Sequence, residues 1–315
     1  MIEPKTLQDA ILYFSNPDNC LGYLVAKRWP KGVVCPICGS DSVSFNASRR
    51  VWQCSSHHPK RQFSVKVGTI FEDSAIGLDK WLVAVWMLTS CKNGISSYEV
   101  GRALGVTQRT AWFMMHRIRL GLQDEAGGML GGEVEVDETY IGGRARNMHV
   151  SKRRERITGT GGAGKVAVMG LLERRGRVRT RVVPSVRKPQ LQGNVREHVA
   201  AGSQVFTDAL QSYDGLERDY VHQVIDHAEC YARENVHTNG LENYWSLLKR
   251  GIRGTYVSVE PFHLFRYLDE QAFRYNNRKG IDDRGRFELA MSQIIGKRLT
   301  WNRLTGKEAD LLSGN

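Results

Sequence analysis

The sequence predicts an α/β protein: a mixed-sheet domain in the second half, preceded by a small cysteine-bearing ribbon and a helical segment. Three observations predict it. Cysteines and histidines crowd between positions 35 and 58, among short β-like runs. Helical periodicity dominates from 78 to 123. From 133 onward strands alternate with helices, and two of the strands end in a carboxylate. The expected divisions are 1–72 for the N-terminal segment and ribbon, 73–128 for the helical segment, 129–300 for the α/β domain and 301–315 for a tail.

The chain has 315 residues, room for two or three domains. Its net charge of +12 and pI of about 9.5 favour a polyanionic partner, above all nucleic acid. Three of the six cysteines lie between 35 and 54, and Cys20, Cys91 and Cys230 are scattered. That is no disulfide framework, and it suits a reducing compartment. No run of 18 apolar residues suggests a membrane span, and Met1-Ile-Glu-Pro-Lys5 lacks a signal-peptide pattern. Cytoplasmic residence is the expectation.

Cys35-Pro-Ile-Cys38-Gly39 is a knuckle, in which two thiolates two residues apart are followed by a glycine that lets the backbone turn towards sulfur. Cys54 and His57 repeat the two-residue gap, with His58 next door as the rival fourth ligand. β-like runs at 41–45, 50–53 and 62–67 surround them. Two knuckles on hairpins form a zinc ribbon, and Cys35, Cys38, Cys54 and His57 are the expected Zn²⁺ ligands. So small a ribbon has little core, so the metal would supply its folding energy.

In the helical segment, residues 96–105 read as a capped helix stopping at Gly105, and 106–119 as a second helix. Two helices about a short glycine turn read as a helix-turn-helix. The second would present Thr107, Gln108, Arg109 and Arg117 to DNA. Trp112, Phe113, Met114 and Met115 suit the core better than a DNA contact. The glycine-rich stretch 123–132 marks a boundary.

Next comes Glu133-Val-Glu-Val-Asp137-Glu-Thr-Tyr-Ile-Gly-Gly143, an alternating strand with a carboxylate and a double-glycine break. Strands at 165–173 and 178–183 follow, then a helix at 189–201, a strand at 204–207 leading to Asp208, a strand at 221–225, and helices from about 239. Three meandering strands, a helix, then strands alternating with helices is the ribonuclease-H-like order. In it the strands bearing Asp137 and Asp208 are neighbours, so the two carboxylates would meet. Gly159-Thr-Gly-Gly-Ala-Gly164-Lys165 imitates a phosphate-cradling loop, but Val166 stands where a hydroxyl should be and a strand follows instead of a helix. The basic residues Arg144, Arg146, Lys152, Arg153 and Arg154 read better as a loop that grips DNA.

Asn239 and Glu242 lie three apart on one face of the next helix, and Lys249 follows Glu242 by seven on that face. Asp137, Asp208 and a third ligand, Glu242 or Asn239, are what two-metal phosphoryl chemistry with Mg²⁺ (or Mn²⁺) requires. Lys249 and Arg250 would neutralise phosphate charge. The alternative is a capping box, with Asn239 the N-cap and Glu242 its partner. His227 and His237 lie close by in sequence and suit a structural role better than the metal site.

Val136-Asp137-Glu-Thr-Tyr-Ile-Gly-Gly143, Thr207-Asp208-Ala-Leu-Gln-Ser-Tyr213 and His237-Thr-Asn239-Gly-Leu-Glu242-Asn-Tyr-Trp-Ser-Leu-Leu-Lys249-Arg250 resemble a group of bacterial insertion-sequence transposases. Residues 251–256 and 267–278 fit as well, and the resemblance spans roughly 10–295. It implies a zinc ribbon, a helical segment and a DDE-type catalytic domain acting on double-stranded DNA at terminal inverted repeats, as a dimer or higher oligomer. The group carries Glu or Asn at the third catalytic position, which leaves Glu242 and Asn239 both standing. His57 is a departure where the group commonly has a cysteine. Two other readings are a DNA-binding regulator without catalysis and a ribonuclease-H-like nuclease without transposition.

Overall fold

A computed structural model of the chain describes residues 4–123, 127–143, 164–225 and 237–307. It divides into two compact units, residues 1–123 with 280–315, and residues 124–279. This differs from the boundaries expected above. Ribbon and helical segment share one unit, and residues 280–300 join that unit instead of the α/β domain.

The first unit begins with α1 (Leu7–Phe14) and α2 (Pro17–Arg28), capped by Thr6 and Asn16. The strands β1 (Val43–Asn46), β2 (Val51–Cys54) and β3 (Gln62–Phe63) form an antiparallel ribbon. Its small core is aromatic: Trp52 packs between Phe63 and Phe45, with Trp29 edge-on. Then come α3 (Leu78–Ser90), α4 (Ser97–Leu104) and α5 (Gln108–Gly121). α4 starts at a Ser96–Glu99 capping box and ends at Gly105, whose φ of 60° is the left-handed conformation that favours glycine.

The second unit holds a five-stranded sheet of β4 (Glu133–Ile141), β5 (Val166–Glu173), β6 (Val178–Val183), β7 (Gln204–Asp208) and β8 (Val221–Ile225), in the order β6-β5-β4-β7-β8. β4, β5 and β6 meander antiparallel, and β7 and β8 run parallel to β4. This is the mixed sheet of a ribonuclease-H-like domain. Alternation along the strands feeds two cores. On one face Val134, Val136, Met169 and Leu171 pack with Leu191 and Val195 of α6 (Lys188–His198). On the other, Val168 and Leu172 pack with Leu241, Trp245 and Leu248 of α7 (Asn239–Gly251) and with α8 (Leu264–Asn276).

The chain then returns to the first unit through α9 (Asp283–Ser292), whose buried Phe287 packs on Phe14, Tyr23 and Trp86. The described beginning of the expected tail packs there too. Trp301 of α10 (Trp301–Leu304) packs against Trp112 and Phe113 of α5, and Leu304 is buried with Leu120. No helix among the described residues is long and apolar enough to cross a membrane.

Candidate active site

The site grows from a parting of strands. β4 and β7 are in register from Glu133–Gln204 to Glu135–Phe206, where their ladder ends. Each strand then continues with its other neighbour, β4 to the Ile141–Val166 pair and β7 to the Asp208–Ile225 pair. Beyond that point the two strands are no longer paired with each other, and there, at the carboxyl end of the parallel pair, the carboxylates of Asp137, Glu138 and Asp208 converge. One oxygen from each carboxylate lies within 4.8 Å of the others. Glu138 was not anticipated. Neighbours on a strand face opposite sides of the sheet, so adjacency to Asp137 argues against a shared site. The end of the β4–β7 ladder accounts for the exception, since beyond Glu135 the β4 edge on the β7 side carries no strand partner.

Each face secures its own carboxylate. On the α7 side, the Trp245 indole Nε1 donates to Asp137 Oδ2 at 2.8 Å. Gly170 pairs with Asp137 across the β4–β5 ladder, and a Cβ there would come within 2.6 Å of the Trp245 ring. On the α6 side, the fully buried Tyr213 hydroxyl donates to Glu138. Burial is the main force on both acids, since it disfavours the charged form. It pushes Asp137 up to about 6 against the Trp245 hydrogen bond, with the charges of Asp208 and Glu242 adding to the rise. Glu138 is pushed up to about 8 by burial, with Asp208 and Asp137 adding repulsion and the Tyr213 hydroxyl opposing. Mutually repelling, desolvated carboxylates of this kind fit a divalent cation held by oxygen ligands.

Glu242 sits exposed in the first turn of α7, close enough for its charge to act on Asp137 but outside the tight trio. Asn239 is exposed at the first position of α7. The capping box considered above is not what forms. Thr238 is the N-cap and has no side-chain cap bond, while the backbone N–H of Leu241 donates to buried Glu135 Oε2 at 3.0 Å. His237 stands beside Glu135 and Arg174, away from the trio. Lys249 is half-buried, its ammonium pushed down by burial and by Arg253 and pulled up by Asp137. It lines a cavity of about 390 Å³ with Tyr140, Gly142, Arg253 and Val257. Arg250 is exposed one residue on.

In the first unit, Cys35, Cys38, Cys54 and His58 bring their ligand atoms together. Cys35 Sγ is 3.5 Å from His58 Nε2, and Cys38 Sγ is 3.6 Å from Cys54 Sγ. Both separations suit the edges of a tetrahedron around a metal ~2.0–2.3 Å from each ligand, the dimensions of a zinc site. The fourth position is therefore corrected from His57 to His58. His57 is exposed, whereas the His58 ring is held by Nδ1 at 2.7 Å from the Pro59 carbonyl, which leaves Nε2 for the sulfurs. Cys38 is lowered to about 6, first by a backbone hydrogen bond at Ser40 and further by Cys54 and Cys35, which favours the thiolate a metal needs.

Residues 129–276 match the ISXO2-like transposase domain family, and residues 15–57 match the transposase zinc-ribbon domain. The chain is 31% identical over 253 residues to an uncharacterized protein in transposable element ISH50 of Halobacterium salinarum, covering 75% of this chain and 83% of that one. It is 34% identical over 102 residues to an uncharacterized transposase-like protein of Haemophilus influenzae, covering 32% of this chain and 82% of that one. The chain belongs to this family of insertion-sequence transposases.

In the transposase, the residues expected to face DNA have different fates. Thr107 is exposed and caps α5, accepting from the Thr110 N–H at 3.2 Å. Gln108 donates through Nε2 to Ser97 Oγ at 2.9 Å, tying α5 to α4. Arg109 is exposed, its guanidinium 4.4 Å above the Trp301 ring. Arg117 is a correction. It is 4% exposed and donates to the Leu299 and Glu72 carbonyls at 2.9 and 2.5 Å, because residues 114–121 of α5 form its buried end. Arg144, Arg146, Lys152, Arg153, Arg154 and His227 lie outside the described residues.

Proposed function

We propose that this transposase cuts and joins DNA at the ends of its element by metal-dependent phosphoryl transfer at Asp137 and Asp208. The observation that carries the reading is the carboxylate trio where the β4–β7 ladder ends. Mg²⁺ or Mn²⁺ held there would activate water, or a DNA 3′-hydroxyl, for attack on phosphorus and would stabilise the leaving 3′ oxygen. Asp137 and Asp208 would hold the ions. Glu242 completes the set in preference to Asn239, because about 100° per helical residue turns Glu242 about 60° from the Trp245 direction and Asn239 about 120°. Its carboxylate also brings a full charge where an amide brings a dipole. Glu138 places a further carboxylate oxygen beside Asp137 and Asp208, where a bound cation would favour its charged form. Lys249, with Arg250 and Arg253, neutralises the phosphates on either side of the cut.

DNA recognition falls to the other unit. Thr107, Gln108 and Arg109 open the second helix of the helix-turn-helix pair, the end that such motifs turn to base edges. The basic residues between 144 and 154 add phosphate contacts, and the net charge of +12 supports a polyanionic partner. Two element ends need two active sites, so the working form is a dimer or higher oligomer on DNA in the bacterial cytoplasm. Purified protein incubated with end-labelled inverted-repeat DNA and Mg²⁺ tests the proposal. Nicked and joined products are expected, and binding without any cleavage would favour a regulator instead.

A further inference from the structure

Helix α7 is attached to strand β4 at two points with matching spacing. The first is Glu135 and the backbone N–H of Leu241, 3.0 Å apart; the second is Asp137 and the indole of Trp245, 2.8 Å apart. Two residues along a strand advance ~6.7 Å. Four residues along a helix advance ~6 Å. The two elements therefore run side by side in register, one turn of α7 for each two-residue step of β4.

The rest of the arrangement holds the first point rigid. Glu135 is 1% exposed. Its Oε1 takes the Arg174 Nε at 3.1 Å and lies 3.4 Å from His237 Nδ1. Arg174 also donates to the His237 carbonyl at 2.7 Å, and its guanidinium lies 3.9 Å above the Phe206 ring. A buried carboxylate thus supplies the partner that the N-terminal N–H groups of α7 lack locally, since Thr238 gives no side-chain cap. Two glycines make the approach possible. A Cβ on Gly240 would come within 2.7 Å of Glu135 Oε2, and one on Gly170 within 2.6 Å of the Trp245 ring.

We infer that Glu135 and Trp245 are positioning residues that lock the register of α7 on β4, so that Glu242 is delivered to Asp137 and the Asp137 carboxylate is held in a fixed orientation towards the metal site. The inference rests on the proposed metal role of the carboxylate trio. It assigns roles to a Glu–Arg–His group around the buried Glu135 and to a tryptophan that bear no chemistry of their own.

The test reads Mn²⁺ binding to the full-length protein by electron paramagnetic resonance, with cleavage measured in parallel. Trp245→Phe keeps the ring and removes the donor. Loss of such an outer partner typically costs 10–100-fold in metal affinity, so about tenfold weaker Mn²⁺ binding is expected. Glu135→Ala is expected to act alike, and Glu135→Gln, which keeps an acceptor for Leu241, to restore most of it. Gly170→Ala keeps every hydrogen-bonding group but displaces the indole. It should match Trp245→Phe, and the double variant should add nothing further. Mn²⁺ binding within threefold of wild type in both Trp245→Phe and Gly170→Ala overturns the inference. Wild-type Mn²⁺ binding that ignores Asp137→Ala and Asp208→Ala overturns the underlying metal reading instead. If Trp245→Phe melts early, the comparison of Gly170→Ala with Glu135→Gln decides.

Discussion

Gly170 lies directly across the β4–β5 ladder from Asp137, and its missing side chain admits the Trp245 indole to the Asp137 carboxylate. A strand glycine ordinarily weakens a sheet. Here it trades that loss for a close approach between a helix and the central acidic residue of the site.

Asp137→Ala and Asp208→Ala are expected to abolish cleavage while leaving binding to element ends nearly intact. The carboxylates lie in residues 124–279, while the helix-turn-helix pair lies in the other unit. Both quantities can be read on one labelled fragment. Wild-type cleavage by either variant would remove these residues from the chemistry.

Glu242→Gln is expected to be inactive, whereas Asn239→Asp keeps activity or gains metal affinity. Neither residue makes a side-chain cap bond for α7, so the thermal melts of both variants should stay within a few degrees of wild type. An active Glu242→Gln beside a dead, well-folded Asn239→Ala would reverse the assignment.

The full-length protein should carry about one Zn²⁺ per chain, as expected of a closed tetrahedral site. Cys38→Ser and His58→Ala should lose it and His57→Ala should keep it. Elemental analysis reads the outcome, and equal zinc in the two histidine variants would refute the choice of His58.

Mg²⁺ should stabilise the protein more as pH rises. Asp137 and Glu138 are pushed up to about 6 and about 8, so the folded metal-free chain binds more protons than the unfolded one between pH ~4 and these values. Their contribution to stability is therefore fullest below pH ~4 and is lost as pH rises through 6 and then 8. A cation reverses the sign, because it favours the deprotonated carboxylates. Thermal melts at pH 5.5, 7 and 8.5 should show a growing Mg²⁺ increment, and a constant increment would contradict the site.

Arg117→Ala should destabilise the fold by ~2–4 kcal/mol, through two carbonyls left without their charged donor. Arg109→Ala should leave the melt nearly unchanged and weaken binding to element ends. The reverse pattern in melts and gel shifts would return Arg117 to the DNA face.

Much of this was legible in the sequence because it is local. Alternation marked β5, β6 and β8 almost to the residue. The Ser96–Glu99 box and Gly105 bracketed α4, and a two-residue cysteine gap announced the ribbon. Strand order alone brought Asp137 and Asp208 together. Adjacent histidines, by contrast, carry no local signal of which ring turns to the sulfurs. The Pro59 carbonyl decided for His58. Periodicity likewise could not tell that the far end of α5 is buried by the returning C-terminal segment, which turned Arg117 from a DNA contact into a core donor. Glu138 joins Asp137 and Asp208 where the β4–β7 ladder ends after Glu135 and Phe206, a tertiary feature that alternation along one strand does not reveal. Pattern along the chain thus determined the elements and the ligand types. Which side chains meet was decided by where strands separate and which helices cover them, and those contacts join residues far apart along the chain, such as Arg117 and Leu299, 182 positions apart, and Tyr23 and Glu288, 265 apart.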